Sequence, residues 1–218
     1  MKQILCFGDS NTYGLIPGTK DRYDWDTRWS GRIGQRLLED GCRIVEEGLC
    51  GRTTVFDDPL RDGRRGTELL SVILETHKPV DVVVLMLGTN DCKTVYDASA
   101  EVIGRGVERL LDQIRSSAPD SKILLMSPIA LGEGVGEEGY DPEFDERSVA
   151  VSKRLPDVYR RIAHERGISF LAASAYAKPS EEDREHMNEE GHAALAEAVY
   201  AKLKEMLAGE KENAQIPA

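Results

Sequence analysis

The stretch Asp81-Val82-Val83-Val84-Leu85-Met86-Leu87-Gly88-Thr89-Asn90-Asp91 decides the architecture. Val82 to Leu87 is an unbroken apolar run, the pattern of a strand buried on both faces rather than one. A small, polar Gly-Thr-Asn-Asp segment follows at once, at what would be the strand's carboxyl end. Working outward, the same motif of short apolar run and longer amphipathic stretch recurs. Strands are expected at Gln3–Gly8, Arg43–Glu47, Asp81–Leu87, Lys122–Ser127 and Ile168–Leu171. Helices are expected at Arg28–Asp40, Gly66–His77, Ala98–Ser117, Asp145–Arg166 and Asn188–Leu207. In the fourth of these, Val151, Leu155, Val158, Tyr159 and Ile162 recur at three- and four-residue steps with arginines and glutamates opposite, and Gly167 follows as a stop. Strand–helix alternation of this kind implies an α/β fold, a parallel sheet covered by helices on both faces.

With 218 residues and 40% hydrophobic content, the chain has enough apolar material for one sizeable domain and is short for two. Residues 1–208 read as that single domain. Pro17–Asp26 is polar and turn-rich, Gly132–Pro142 is an acidic, glycine-rich insertion beside the fourth strand, and Gly209–Ala218 reads as a disordered polar tail. The formal net charge is -11, which repels phosphate backbones and anionic lipid surfaces, so neither nucleic acid nor membrane is an expected partner. No apolar stretch approaches the roughly 20 residues of a membrane span. Cys6, Cys42, Cys50 and Cys92 show no Cys-x-x-Cys or zinc spacing, and most lie in or beside apolar segments. A reduced, cytoplasmic setting is therefore expected.

In sheets of this class ligands bind outside the carboxyl ends of the strands. There the chain carries Gly8-Asp9-Ser10-Asn11, Gly48-Leu49-Cys50-Gly51 and Gly88-Thr89-Asn90-Asp91. A serine hydroxyl is a weak nucleophile near neutral pH and needs a base beside it and donors for the oxyanion it creates. Ser10 is the candidate nucleophile, though Gly-Asp-Ser alone also suits a turn with a capping serine. His186 is the candidate base. Asp183, three residues ahead, is placed to accept its Nδ1 proton and fix the tautomer; the competing reading is a solvated acidic loop containing Glu181, Glu182 and Glu185. His192 falls inside a helical pattern and reads as covering a surface or interface, while His77 and His164 read as structural. The candidate oxyanion donors are the amides of Ser10 and Gly51 and the side chain of Asn90, which could otherwise be an ordinary turn residue. Asp9 and Asp91 read as braces for these loops.

Gly8-Asp9-Ser10, Gly51, Gly88-x-Asn90-Asp91 and Asp183-x-x-His186, in this order and each at an expected strand end or near the C-terminus, resemble the four blocks of the SGNH (GDSL-type) hydrolase superfamily. Within it, Ile4–Ser10, Arg28-Trp29, Glu46–Leu49, Arg52-Thr53-Thr54, Asp57-Asp58-Pro59 and Met86–Asp91 are most similar to bacterial arylesterases that also act as acyltransferases. The resemblance implies Ser10 as nucleophile, His186 as base, Asp183 as its orienter, and Ser10, Gly51 and Asn90 as oxyanion hole. It also implies a flavodoxin-like three-layer α/β/α sandwich with a mostly five-stranded parallel sheet, no metal and no cofactor. Three residues depart from the pattern: Asn11 stands in place of leucine, Arg184 in place of a glycine, and Met187 in place of Leu or Phe. The 132–142 insertion also differs from the acyltransferase segment that shapes a restricted channel, so hydrolysis is the primary expectation and transfer to alcohols a secondary one.

The expected partner is a small-molecule ester with a short acyl group, acetyl or aryl, since no long apolar lid is present; self-association is left open. Removal of acetyl groups from carbohydrates is the alternative within the same chemistry, with Tyr13, Trp25, Trp29 and Tyr140 as candidates to stack on a sugar. A non-catalytic ligand-binding domain is the alternative of a different class.

Overall fold

Five apolar runs pair into one parallel sheet in the computed structural model, which describes residues 1–213, with side chains described through 208. The strands are β1 (Lys2–Gly8), β2 (Cys42–Gly48), β3 (Val82–Met86), β4 (Lys122–Ser127) and β5 (Ser169–Ala172). Their order is β2-β1-β3-β4-β5. Ile4 pairs in register with Ile44 on one side and Val82 on the other, so β1 is a central strand and the chain reverses its direction of growth beside it. That reversal opens a crevice at the carboxyl ends of β1 and β3, where loops leave toward opposite faces.

The helices are α1 (Ser10–Tyr13), α2 (Trp29–Glu39), α3 (Gly66–Thr76), α4 (Ala100–Ser117), α5 (Glu146–Arg166) and α6 (Glu189–Asn213). Alternate residues of the central strands point to opposite faces, and each face builds its own core. Leu5, Phe7, Val83 and Leu85 pack with Leu70 and Leu74 of α3, Ile103, Val107 and Leu110 of α4, and Leu155, Tyr159 and Ile162 of α5. Ile4, Cys6, Val82, Val84 and Met86 pack with Trp29, Ile33 and Leu37 of α2 and Leu195, Val199 and Leu203 of α6. The result is the three-layer α/β/α architecture. A strand with no solvent-facing side has no reason to alternate polar and apolar residues, which is why Val82 to Leu87 reads as one unbroken run.

Local signals set the helix ends. Asp145 and Ser148 form a capping box at the start of α5, with the Ser148 amide donating to Asp145 at 2.8 Å and the Asp145 amide to the Ser148 hydroxyl at 3.2 Å. Gly167 closes that helix in the left-handed conformation. One expectation is revised. Helix α6 continues past Gly209 to Asn213, because Glu210, Lys211 and Glu212 are good helix formers that extend an existing helix at little cost. The remainder of the expected tail, 214–218, lies outside the described residues. No helix among the described residues is long and apolar enough to cross a membrane.

Candidate active site

Strand β1 delivers Ser10 to the crevice. Asp9 precedes it as the cap of α1, accepting the Asn11 amide at 3.0 Å. Ser10 is thus the first residue of a short helix, buried, with its hydroxyl toward the loop that follows β5. The structure brings His186 there across 176 positions of sequence: His186 Nε2 lies 2.8 Å from Ser10 Oγ. Its other ring nitrogen, Nδ1, lies 2.7 Å from Asp183 Oδ2.

Asp183 is held by more than the imidazole. Its Oδ1 accepts the amides of Glu185 (3.0 Å) and His186 (2.9 Å), and its Oδ2 accepts the amide of Gly18 (3.0 Å) from the turn-rich segment after α1. Burial pushes this carboxyl up, but the His186 ring and these amides outweigh it and hold Asp183 below the usual carboxylate range. The imidazole is shifted the other way. Burial disfavours its charged form, yet the carboxylates of Glu185, Asp183 and Asp9 raise its pKa to about 9. A hydroxyl bonded to an imidazole whose far nitrogen is fixed by a carboxylate can lose its proton as it attacks, and the fixed tautomer leaves Nε2 as the acceptor.

The histidine loop is docked by Asn11, one of the three departures noted from sequence. Its side-chain amide donates to the Glu185 carbonyl (3.3 Å) and its side-chain oxygen accepts the Met187 amide (3.0 Å), so the residue beside Ser10 grips both sides of His186. A single sequence gives no sign of this clamp, whose partners lie more than 170 residues away. Arg184 holds the loop from outside. It adopts φ +59, a left-handed conformation that explains why glycine is the usual residue at such a position. Its guanidinium donates to the Gly134 carbonyl (2.9 Å) and Glu137 (2.8 Å) and lies 3.9 Å from the Tyr140 ring centroid. The Gly132 amide donates back to the Arg184 carbonyl at 2.7 Å. The 132–142 insertion is therefore strapped to the loop that carries Asp183 and His186.

Gly51 and Asn90 lie on the loops after β2 and β3, flanking Ser10. The Asn90 side chain donates to the Arg52 carbonyl at 3.1 Å, which joins the two loops and leaves its second amide hydrogen uncommitted. The Ser10 and Gly51 amides donate to no described residue. Gly51 has φ +80, so a larger residue there would be strained by the left-handed backbone and would also have to displace the Arg61 guanidinium. Arg52 spans the strand ends, donating to the Gly8 carbonyl (2.9 Å) and to the Glu47 carbonyl while lying 4.0 Å from the Phe7 ring centroid. Asp91 braces the other side, accepting the Thr54 amide at 3.0 Å and the Thr54 hydroxyl. Both bracing carboxyls are fully buried, and burial lifts Asp9 to about 6 and Asp91 to about 7.

Other candidates fall away from the centre. His192 is buried rather than at a surface or interface: its Nδ1 accepts the Trp29 amide at 3.3 Å, and burial, with Arg32 and Arg28 nearby, lowers it to about 4. Helical periodicity does not distinguish a covered face from an open one, hence the difference. His77 ends α3 and lies 3.0 Å from Glu47, and His164 is exposed on α5. Of the aromatics, Trp29 is fully buried with its indole N–H on the Asn11 carbonyl (3.1 Å), which removes it as a stacking platform. Tyr13 is capped by Arg22 and Tyr140 by Arg184, while Trp25 is exposed. An open groove of about 600 Å³ between β5 and α6 is lined by Ser174–Glu182 and Gly191 and includes none of Ser10, Gly51, Asn90 and His186. No cluster of metal-ligating side chains occurs among the described residues.

Comparison with known proteins bears on the family and the fold. The model of the GDSL-like lipase/acylhydrolase family matches residues 6–194. A carbohydrate acetylesterase from Sinorhizobium meliloti is similar at 31% identity and TM-score 0.87, covering 94% of this chain and 100% of that one. The aryl esterase of M. smegmatis is similar at 30% identity and TM-score 0.87, covering 94% and 99%. A candidate arylesterase from Agrobacterium tumefaciens is similar at 34% identity and TM-score 0.85, with the same coverages. No curated protein matches the chain.

Proposed function

Because this chain belongs to the GDSL-like lipase/acylhydrolase family, we propose that it is a serine esterase that cleaves short-chain acyl esters through an acyl-enzyme on Ser10. The observation that carries the reading is the continuous relay from Asp183 Oδ2 through His186 to Ser10 Oγ, at 2.7 and 2.8 Å. Ser10 Oγ attacks the ester carbonyl carbon while His186 Nε2 takes its proton, and the carbonyl electrons move onto oxygen. The Ser10 and Gly51 amides and the Asn90 side chain receive that oxyanion. As the carbonyl re-forms, the ester C–O bond breaks and His186 returns the proton to the leaving alcohol. Water then repeats the sequence on the acyl-serine: His186 takes its proton, the carboxylic acid departs, and Ser10 regains its hydrogen. An alcohol in place of water would give transfer instead, a secondary activity in this reading.

Small acyl groups are the substrates of this reading, because the sequence carries no long apolar lid. Both an aryl esterase and a carbohydrate acetylesterase are among the similar structures, so acetylated carbohydrates are the second reading. The test is turnover of phenyl acetate by wild type and Ser10→Ala. Loss of all turnover above background in the variant is expected, and equal rates would overturn the reading.

A further inference from the structure

Glu185 is a feature of the site that the relay does not use. It stands between Arg184 and His186, only 7% exposed, with Oε1 3.6 Å from His186 Nε2. No described residue donates a hydrogen bond to its carboxyl. Its position is fixed from the backbone, through the Asn11 side chain on its carbonyl and the Asp183 carboxylate on its amide. The charged groups around it are of the wrong sign to hold it: besides His186, Asp141, Asp183 and Asp9 face it, and burial with these like charges raises its pKa to about 7. The Cys50 thiol lies near it on the Gly51 side. The carboxyl is not among the fully enclosed unpaired groups, so it keeps an accessible edge beside His186 Nε2 at which a substrate hydroxyl can donate to it.

The constraint is geometric. His186 Nε2 must hand its proton to the leaving oxygen, so that oxygen sits within about 3 Å of Nε2. The Glu185 oxygen lies beside the same nitrogen. A hydroxyl on the carbon next to the ester-bearing carbon therefore falls within hydrogen-bond reach of Glu185, whereas an alkyl or aryl leaving group leaves the carboxyl unpaired. We infer that Glu185 is a specificity residue for the alcohol side of the substrate, selecting acyl esters of polyols that carry a free hydroxyl adjacent to the ester. This rests on the esterase reading above and narrows it toward partly acylated polyols, sugars included.

The test compares kcat/KM for 2-hydroxyethyl acetate and propyl acetate, which differ by a hydroxyl in place of a methyl group, in wild type, Glu185→Leu and Glu185→Gln. A general loss of rate cancels in the ratio, so a purely structural role of Glu185 would not move it. Wild type should favour the hydroxy ester by about tenfold, the worth of one hydrogen bond to a charged group. Glu185→Leu should bring the ratio to about one. Glu185→Gln, which preserves the shape, should reduce it severalfold because a neutral acceptor makes a weaker bond. No preference in wild type, or the same preference in all three proteins, would overturn the inference while Ser10-dependent turnover leaves the esterase reading intact. Absence of Ser10-dependent turnover of either ester would overturn both.

Discussion

The two halves of the site are built by different means. Ser10, Gly51 and Asn90 sit on the ends of three adjacent strands, and their braces are buried bonds between those ends: Arg52 to the Gly8 and Glu47 carbonyls, Asn90 to the Arg52 carbonyl, and Asp91 to Thr54. Asp183 and His186 sit on a loop outside the sheet, held by side-chain and backbone contacts that span the chain, from Gly18, Asn11 and the 132–142 insertion. The half proposed to receive the oxyanion is thus fixed by the fold itself. The acid–base half is fixed by docking, and small changes there alter alignment before they alter stability.

The largest effect expected from this contrast is on the docked half. Asp183→Asn removes the acceptor that sets the imidazole tautomer, and kcat should fall on the order of 10⁴-fold, as in serine proteases altered at the equivalent role. The same variant should move the acid limb of the kcat/KM profile. The base works only as neutral imidazole, so activity is lost as pH falls through the His186 pKa, which lies near 9 partly because Asp183 is charged. Deleting that charge lowers the pKa, and the limb should shift to lower pH. A limb that stays in place would mean that Asp183 is not coupled to the titrating base.

On the strand-end half, Asn90→Ala removes one donor from a scaffold that otherwise persists. A loss of about 10²–10³ in kcat with little change in KM is expected, measured on phenyl acetate. A change confined to KM would put Asn90 in ground-state binding and break the contrast.

The legible part of this site was its strand-end chemistry. Val82 to Leu87 announces a doubly covered strand, and Gly-rich polar segments after the expected β1, β2 and β3 mark the edge where sheets of this class bind ligands. Asp183 and His186 are close in sequence, so their pairing needs only one turn of chain. What the sequence hides is long-range docking. Nothing near Asn11 indicates partners at 185 and 187. The burial of Glu185 and His192 likewise depends on which faces the fold covers, and local charge gives the opposite impression for Glu185, which is flanked by acids and arginine. The extension of α6 past Gly209 was hidden for another reason: composition alone does not distinguish a polar helix end from a polar tail.

The smallest effects should come from the strap on the histidine loop. Arg184→Ala keeps a side chain in the left-handed backbone but removes the contacts to Gly134, Glu137 and Tyr140. Arg184→Gly removes both the contacts and the strain. Left-handed backbone costs a non-glycine residue about 1–2 kcal/mol, offset in part by the greater chain entropy glycine loses on folding. Arg184→Gly should therefore be the more stable of the two in urea unfolding, by up to about 1 kcal/mol. Both should retain kcat within about tenfold, because the Asn11 and Gly18 contacts remain. A collapse of activity in both would mean that the insertion, rather than Asn11, sets the position of His186.

The central claim is that Ser10 carries the acyl group, and the most direct measurement is the site of covalent modification. Intact protein treated with an aryl organophosphonate and then mapped by peptide mass spectrometry should carry one adduct, on the peptide containing Ser10, and Ser10→Ala should carry none. An adduct on a different residue, or full esterase activity remaining after Ser10 is modified, would contradict the account.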